Sequence, residues 1–238
     1  MRIALIGYGK MGKAIERIAL AKGHEIVLKI DLDNGHEMTP ENLLKAEVAI
    51  EFTGPSSAAA NLLKCAAAGI RVVSGSTGWL EQLDIVKDTF EKKGSAFLYA
   101  SNFSIGVNIF FELNKKLAHL MASHREYAVE MLETHHTQKK DAPSGTAITL
   151  AEQVMSEIPS LKSWVNRPAS QAGELSIISK RLDPAPGTHE VRYHSPIDDI
   201  EIIHTAHNRE GFAGGAVLAA EFIRDKKGIF SMKDVLGF

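Results

Sequence analysis

The segment ETHHTQKKDAPSGTA, residues 133–147, crowds titratable groups against a turn. His135, His136, Lys139, Lys140 and Asp141 lead into Pro143-Ser144-Gly145-Thr146, a stretch that breaks extended structure and opens a helix. Metal binding, phosphate binding and acid–base chemistry are the candidate uses. Zinc is poorly served: neighbouring residues of a strand point to opposite faces, and His135 and His136 lack the i, i+4 spacing of a helical ligand pair. No metal site is expected. Acid–base chemistry fits better, because histidine titrates near neutrality and a small shift lets it give or take a proton. Lys139 and Lys140 add positive charge. Free N–H groups at Gly145 and Thr146, with the Thr146 hydroxyl, form a cradle for a carboxylate at a helix N-terminus. The plain alternative is a solvated loop before an ordinary capped helix. His119, His124, His189, His194, His204 and His207 are scattered and are read as structural, and Cys65, in an alanine-rich helix, as a small buried hydrophobe.

A second group lies at the N-terminal end. Gly7-Tyr8-Gly9-Lys10-Met11-Gly12 has the form G-x-G-x-x-G, between an apolar run and a helical pattern. In that context Gly7 permits the tight turn, Gly9 lets backbone approach a pyrophosphate, and Gly12 lets the helix pack closely. The helix N-terminus then offers N–H groups to the phosphates. Asp31, 19 residues after Gly12, ends the next strand, where a carboxylate can accept from ribose hydroxyls. It would repel a 2′-phosphate; Leu32 and Asp33 supply no cation, and Lys10 is the nearest one. NADH is therefore expected as the preferred cofactor, with NADPH tolerated.

The elements that carry these groups alternate. Strands are expected at 2–6, 24–31, 47–54 and 95–103, a strand and loop at 70–78, and helices at 13–22, 57–69 and 80–94, with Gly69 as a stop. That order predicts an α/β fold, a parallel sheet with helices on both faces. Beyond 105 the pattern changes: a long helix (106–122), a strand (125–136), a helix (146–158), then three strand-like runs (174–183, 188–195, 199–208) without helices between them. These predict an open mixed or antiparallel sheet. A last helix, 214–226, is expected to pack back on the first domain. The chain thus reads as a Rossmann-type dinucleotide-binding domain, residues 1–104 and 213–238, interrupted by an α+β substrate-binding domain, 105–212.

A length of 238 residues suits this organisation. The formal net charge of −2 gives no reason to expect nucleic acid or an anionic membrane as partner. The single cysteine excludes an internal disulfide and fits a reducing cytoplasm. The apolar MRIALIG is too short for a signal peptide, and no apolar run is long enough to span a bilayer.

The charged turn resembles the signature of the dihydrodipicolinate reductase family: two histidines, a lysine three positions after the second, then Asp-Ala-Pro-Ser-Gly-Thr-Ala. GYGKMG resembles that family's glycine loop, one residue shorter than its common form, with Lys10 in place of the usual arginine. GSTGW (75–79), ASNFSIGVN (100–108), NREGFAGGAV (208–217) and the ending KGIFSMKDVLGF are similar to further family segments, while the stretch 158–186 is shorter than in many members. The resemblance implies NAD(P)H-dependent reduction of 4-hydroxy-tetrahydrodipicolinate in lysine and diaminopimelate biosynthesis, by a cytoplasmic homotetramer built through the second domain. It implies His135 as the catalytic acid–base group and Lys139 as second proton donor, with His136, Gly145 and Thr146 holding the carboxylates of a small dicarboxylate substrate. Gly7, Tyr8, Gly9, Lys10, Met11, Gly12 and Asp31 would hold the dinucleotide. Gly75, Ser76, Thr77, Ala100, Ser101, Asn102 and Phe103 would line its nicotinamide side, with Arg209 and Phe212 reaching it from the returning segment. Hinge closure would bring cofactor and acid together. The alternatives are another two-domain dehydrogenase, acting on aspartate or homoserine, and a non-catalytic dinucleotide sensor; the intact 133–147 segment argues against both.

Overall fold

The computed structural model describes residues 1–208 and 210–238. It divides into two compact units, Met1–Ile105 with Glu210–Phe238, and Gly106–Arg209.

In the first unit, β1 (Arg2–Ile6), β2 (Glu25–Ile30), β3 (Val48–Glu51), β4 (Arg71–Ser74) and β5 (Ala96–Tyr99) alternate with α1 (Lys10–Ala21), α2 (Pro40–Leu43), α3 (Pro55–Ala68) and α4 (Leu83–Lys92). The strands pair in parallel in the order β2-β1-β3-β4-β5. Ile3, Ala4, Leu5 and Ile6 are all buried, as a strand covered on both faces requires. Helix α1 begins at Lys10, earlier than expected, because the extended Gly9 serves as its N-cap and the end of the glycine loop is already the first turn. Gly12, Ile15 and Ala19 form its buried face. Helix α3 stops at Gly69, which adopts φ +80°, the left-handed conformation expected there.

The second unit begins in α5 (Ile105–Met121) and contains β6 (Ala128–His135), α6 (Gly145–Glu157), β7 (Ser163–Val165), β8 (Glu174–Arg181), β9 (Gly187–His194) and β10 (Asp199–Ala206). Its sheet runs β10-β9-β6-β8-β7 and is mixed: β6–β8 and β7–β8 are parallel, and β6–β9 and β9–β10 antiparallel. Short β7 was not anticipated; three residues are too few to show a period. Phe110 and Ala118 of α5 and Leu150, Ala151 and Val154 of α6 join Met131, Leu175, Ile177, Val191 and Tyr193 of the sheet in one core. The buried Asn114 ties α5 to α6 by donating to Leu150 O and Gln153 Oε1, both at 3.1 Å.

The chain returns through α7 (Glu210–Ile223), β11 (Gly228–Phe230) and α8 (Met232–Leu236). Helix α7 packs into the first unit's core with Ala213, Ala216, Val217, Ala219, Ala220 and Ile223. Gly215 lies so close to the chain at 103 that an added Cβ would stand 1.8 Å from Phe103 O. The returning segment groups with the first unit from Glu210, the first residue of α7, where residue 213 was expected. Strand β11, also not anticipated, adds a sixth parallel strand beside β5. Among the described residues, no helix is long and apolar enough to cross a membrane.

Candidate active site

In the second unit, β6 ends at His135 and the chain turns back to start α6 at Gly145. Ser144 caps that helix, its hydroxyl accepting from Ala147 N at 3.2 Å. Thr146 is half-buried in the first turn, and Gly145 is exposed, with open space where a Cβ would stand. The N-terminal N–H groups of α6 are thus open to an anion. Lys139 pairs with Asp141 at 2.9 Å, and this hydrogen bond holds the Asp141 carboxyl below its usual range. His136, Lys139, Gly145 and Thr146 lie on the same turn as His135, which is 8% exposed.

His135 does not stand alone. Its Nδ1 lies 3.5 Å from Glu133 Oε2, and the His189 ring of β9 meets it edge-on, with centroids 5.1 Å apart and planes at 71°. Burial pushes the His135 pKa down; Glu133 opposes this, and Lys139 and Arg181 reinforce it. Burial also pushes His189 down, to about 4, with the neighbouring His135 adding to the shift. Glu133 is pushed up by burial, but donors from Ser144 and Ser179, with the nearby His135, outweigh this and hold it below the carboxylate range. The reading of His189 as an isolated structural histidine is therefore corrected: β6 and β9 are neighbours, and their pairing brings it to His135. Glu133, His135 and His189 also have the spacing of a possible metal cluster, with ligand atoms within 4.8 Å of one another. The Glu133 oxygens are, however, already occupied by Ser144 N–H, the Ser179 hydroxyl and the Arg181 guanidinium, a cationic setting that disfavours a metal ion.

In the first unit, parallel pairing gathers the loops after β1, β2, β3, β4 and β5 at one edge. The strand order reverses at β1, which has β2 on one side and β3 on the other, the place where open α/β sheets bind ligands. A Cβ on Gly7 (φ +92°) would meet Phe52 O at 2.0 Å, whereas Gly9 has nothing within 4 Å. The first glycine thus makes the turn, and the second leaves an open approach beside the N-terminus of α1, which fits a dinucleotide pyrophosphate. Lys10 and Asp31 are exposed near the loop, with Met11 half-buried. The Tyr8 hydroxyl donates to Glu16, which also binds Lys29 at 2.6 Å, so Lys29 is committed to a carboxylate.

The remaining expected cofactor residues divide. Thr77 and Ser101 are exposed, and Ala100, Asn102 and Phe212 half-buried. Gly75 is required by packing, since its Cβ would stand 2.1 Å from the Phe52 ring. Phe103 is 2% exposed in the core, with its ring 5.6 Å from that of Phe52, so its side chain does not line an open site. The Ser76 hydroxyl faces inward and donates to Glu51 Oε1 at 2.7 Å. Arg209 lies outside the described residues.

Glu51 is a group that sequence reasoning missed. Its buried carboxylate accepts from the Ser74 and Ser76 hydroxyls, from Thr53 N at 3.0 Å and from the Thr53 hydroxyl, joining the loops after β3 and β4. A lone acid ending the apolar run VAIE was the available signal.

Two family models divide the chain near residue 105, the second covering both the inserted unit and most of the returning segment. Residues 1–103 match the family model described as dihydrodipicolinate reductase, N-terminus, and residues 106–236 that described as dihydrodipicolinate reductase, C-terminus. The 4-hydroxy-tetrahydrodipicolinate reductase of Christiangramia forsetii is 51% identical over 237 residues, covering 99% of this chain and 98% of its own. That of Methanosarcina barkeri is 35% identical, covering 97% and 83%. The structure of a dipicolinate-bound dihydrodipicolinate reductase from Paenisporosarcina sp. TG-14 superposes with a TM-score of 0.78 at 26% identity, covering 97% of both chains. With both halves matched and a relative at 51% identity over nearly the whole length, this chain belongs to the dihydrodipicolinate reductase family.

Proposed function

We propose that this protein reduces 4-hydroxy-tetrahydrodipicolinate to tetrahydrodipicolinate with loss of water, in lysine and diaminopimelate biosynthesis. As a member of its family it is an NAD(P)H-dependent oxidoreductase. The observation that carries the reading is the turn between β6 and α6, where a buried imidazole, a lysine and an open helix N-terminus stand together. A relative with dipicolinate bound supports a small dicarboxylate as its ligand.

The substrate is a cyclic imine with two carboxylates and a hydroxyl. Gly145 N–H, Thr146 N–H and the Thr146 hydroxyl bind carboxylate at the N-terminus of α6, with His136 beside them. Loss of water gives a conjugated ring. A nicotinamide cofactor held by the Gly7–Gly12 loop and Asp31 would supply a hydride, for which the ring carbon conjugated to the imine is the acceptor. Negative charge then moves toward the ring nitrogen, where His135 delivers a proton and Lys139 supplies a positive field. Without ligand, burial keeps His135 below its usual pKa. Two substrate carboxylates push that value back up, so that the dianion itself charges the acid.

The finer choice of cofactor is NADH, with NADPH tolerated. Asp31 repels a 2′-phosphate, Lys10 partly offsets it, and Lys29 is engaged by Glu16. The assembly is a cytoplasmic homotetramer formed through the second unit. Light scattering tests the assembly, a mass of four chains being expected and a monomer contradicting it. Enzymatically made substrate with NADH or NADPH tests the function. Oxidation of neither cofactor would refute the reading, and a tenfold preference for NADPH would refute the cofactor assignment.

A further inference from the structure

An imidazole that gives a proton from Nε2 does so as the imidazolium, with its ring held and the Nδ1 proton kept in place by a neighbour. The carboxylate placed to do both for His135 is Glu133, two residues earlier and on the same face of β6. The Glu133 side chain is 0% exposed. Its Oε2 lies 3.5 Å from His135 Nδ1 and 3.7 Å from His189 Nε2. Its Oε1 accepts from Ser179 Oγ at 2.8 Å and Arg181 Nη2 at 3.3 Å. Both oxygens lie 3.1 Å from the Ser144 backbone N–H, and the Ser144 hydroxyl reaches His189 Nε2 at 3.1 Å. One carboxylate therefore joins the ring of β6, the wall supplied by β9, two donors of β8 and the cap of α6.

The two ring nitrogens differ. His135 Nδ1 is buried without a full hydrogen bond, and Glu133 Oε2 is the carboxylate oxygen that faces it. Such contacts tighten when a catalytic complex forms. Nε2 lies over the start of β9, where residue 187 is glycine; a Cβ there would stand 3.1 Å from it. The bare backbone leaves that nitrogen room.

We propose that Glu133 is the positioning residue of the acid: it fixes His135 as the Nδ1–H tautomer, directs Nε2 to the substrate, and through Ser144 N–H locks the ring in register with the carboxylate cradle of α6. This rests on the reading of His135 as proton donor. The carboxylate also favours the imidazolium, against the other charged groups around the ring: Lys139 and Asp141 of the turn, Arg181 of β8, and His189 of β9 with His204 of β10 behind it.

The test compares full-length wild type, Glu133→Gln, Glu133→Asp and His135→Gln. Glu133→Gln is expected to lose about 10–100-fold in kcat, as for other partners that orient a functional histidine, with NADH affinity unchanged. Its fall in kcat with rising pH moves to lower pH by about one unit, because the imidazolium has lost its counter-charge. Glu133→Asp keeps the wild-type pH profile with an intermediate kcat. A Glu133→Gln enzyme within threefold of wild type with an unmoved profile, beside an inactive His135→Gln, overturns the positioning role alone. A fully active His135→Gln overturns the proton-donor reading on which it rests. Independently of any Glu133 variant, long-range 1H–15N correlation of wild type, assigned by difference from His135→Gln, reads the tautomer. Protonated Nδ1 with bare Nε2 is expected, and the reverse overturns the proposal.

Discussion

A Cβ on Gly12 would stand 2.3 Å from the carbonyl oxygen of Gly7, so the first turn of α1 and the end of β1 touch through backbone. Gly9, between them, has open space instead. Alanine at these two positions should therefore act differently. Gly12→Ala has to displace the loop and lowers both melting temperature and NADH affinity. Gly9→Ala melts close to wild type but weakens NADH about tenfold, equivalent to about 1.4 kcal/mol, because its methyl occupies the approach to the phosphates. Thermal unfolding and fluorescence titration check both; a Gly9→Ala protein that binds NADH as wild type does would remove Gly9 from the cofactor site.

His135→Gln keeps the shape of a half-ring but has no acidic proton near neutrality. A lost general acid costs about 10²–10⁴-fold in rate, and the loss should fall on kcat. Steady-state kinetics decides, and a variant within threefold of wild type would exclude His135 as proton donor.

Thr146→Val should raise the substrate KM more than it lowers kcat. The hydroxyl is read as a carboxylate ligand, present in ground state and transition state alike. An unchanged KM would take Thr146 out of the substrate site.

Selectivity for NADH over NADPH should be nearer tenfold than a thousandfold, since the repulsion by Asp31 is opposed by Lys10. Asp31→Asn should improve NADPH relative to NADH. Lys10→Ala should worsen NADPH, and more at low salt than at high, because an exposed charge is screened. Ratios of kcat/KM measured at two ionic strengths check this; variants that leave the ratio unmoved would locate selectivity elsewhere.

Stability should depend on pH through His189. Burial holds its folded pKa at about 4, below the ordinary 6.5. As pH falls, the unfolded chain takes up the proton first. The contribution is thus fully present above about pH 6.5 and is lost between there and about pH 4. His189→Gln should narrow the stability gap between pH 7 and pH 5 by about 2 kcal/mol. Urea unfolding at the two pH values measures it, and an equal gap in variant and wild type would show that His189 is not held neutral.

Local pattern carried much of this protein in its sequence. The apolar runs and glycines foretold β1, the turn after it, α1 and the stop of α3 at Gly69, because these follow from backbone sterics and periodicity within a few residues. That His135, Lys139, Gly145 and Thr146 share one turn was legible for the same reason. What the sequence left open depends on which strands are neighbours. His189 is 54 residues from His135, and only the antiparallel pairing of β9 with β6 makes it a neighbour. Ser179 and Arg181 reach Glu133 because β8 pairs with β6 on the other side. The inward Ser76 and the buried Phe103 depend on packing too: the Ser76 hydroxyl turns to Glu51 at the end of β3, and Phe103 lies in the core formed with α7. A strand period says that Glu133 and His135 share a face. Only the sheet decides that this face is dry, so that a carboxylate 3.5 Å from a ring nitrogen governs its proton instead of being screened by water.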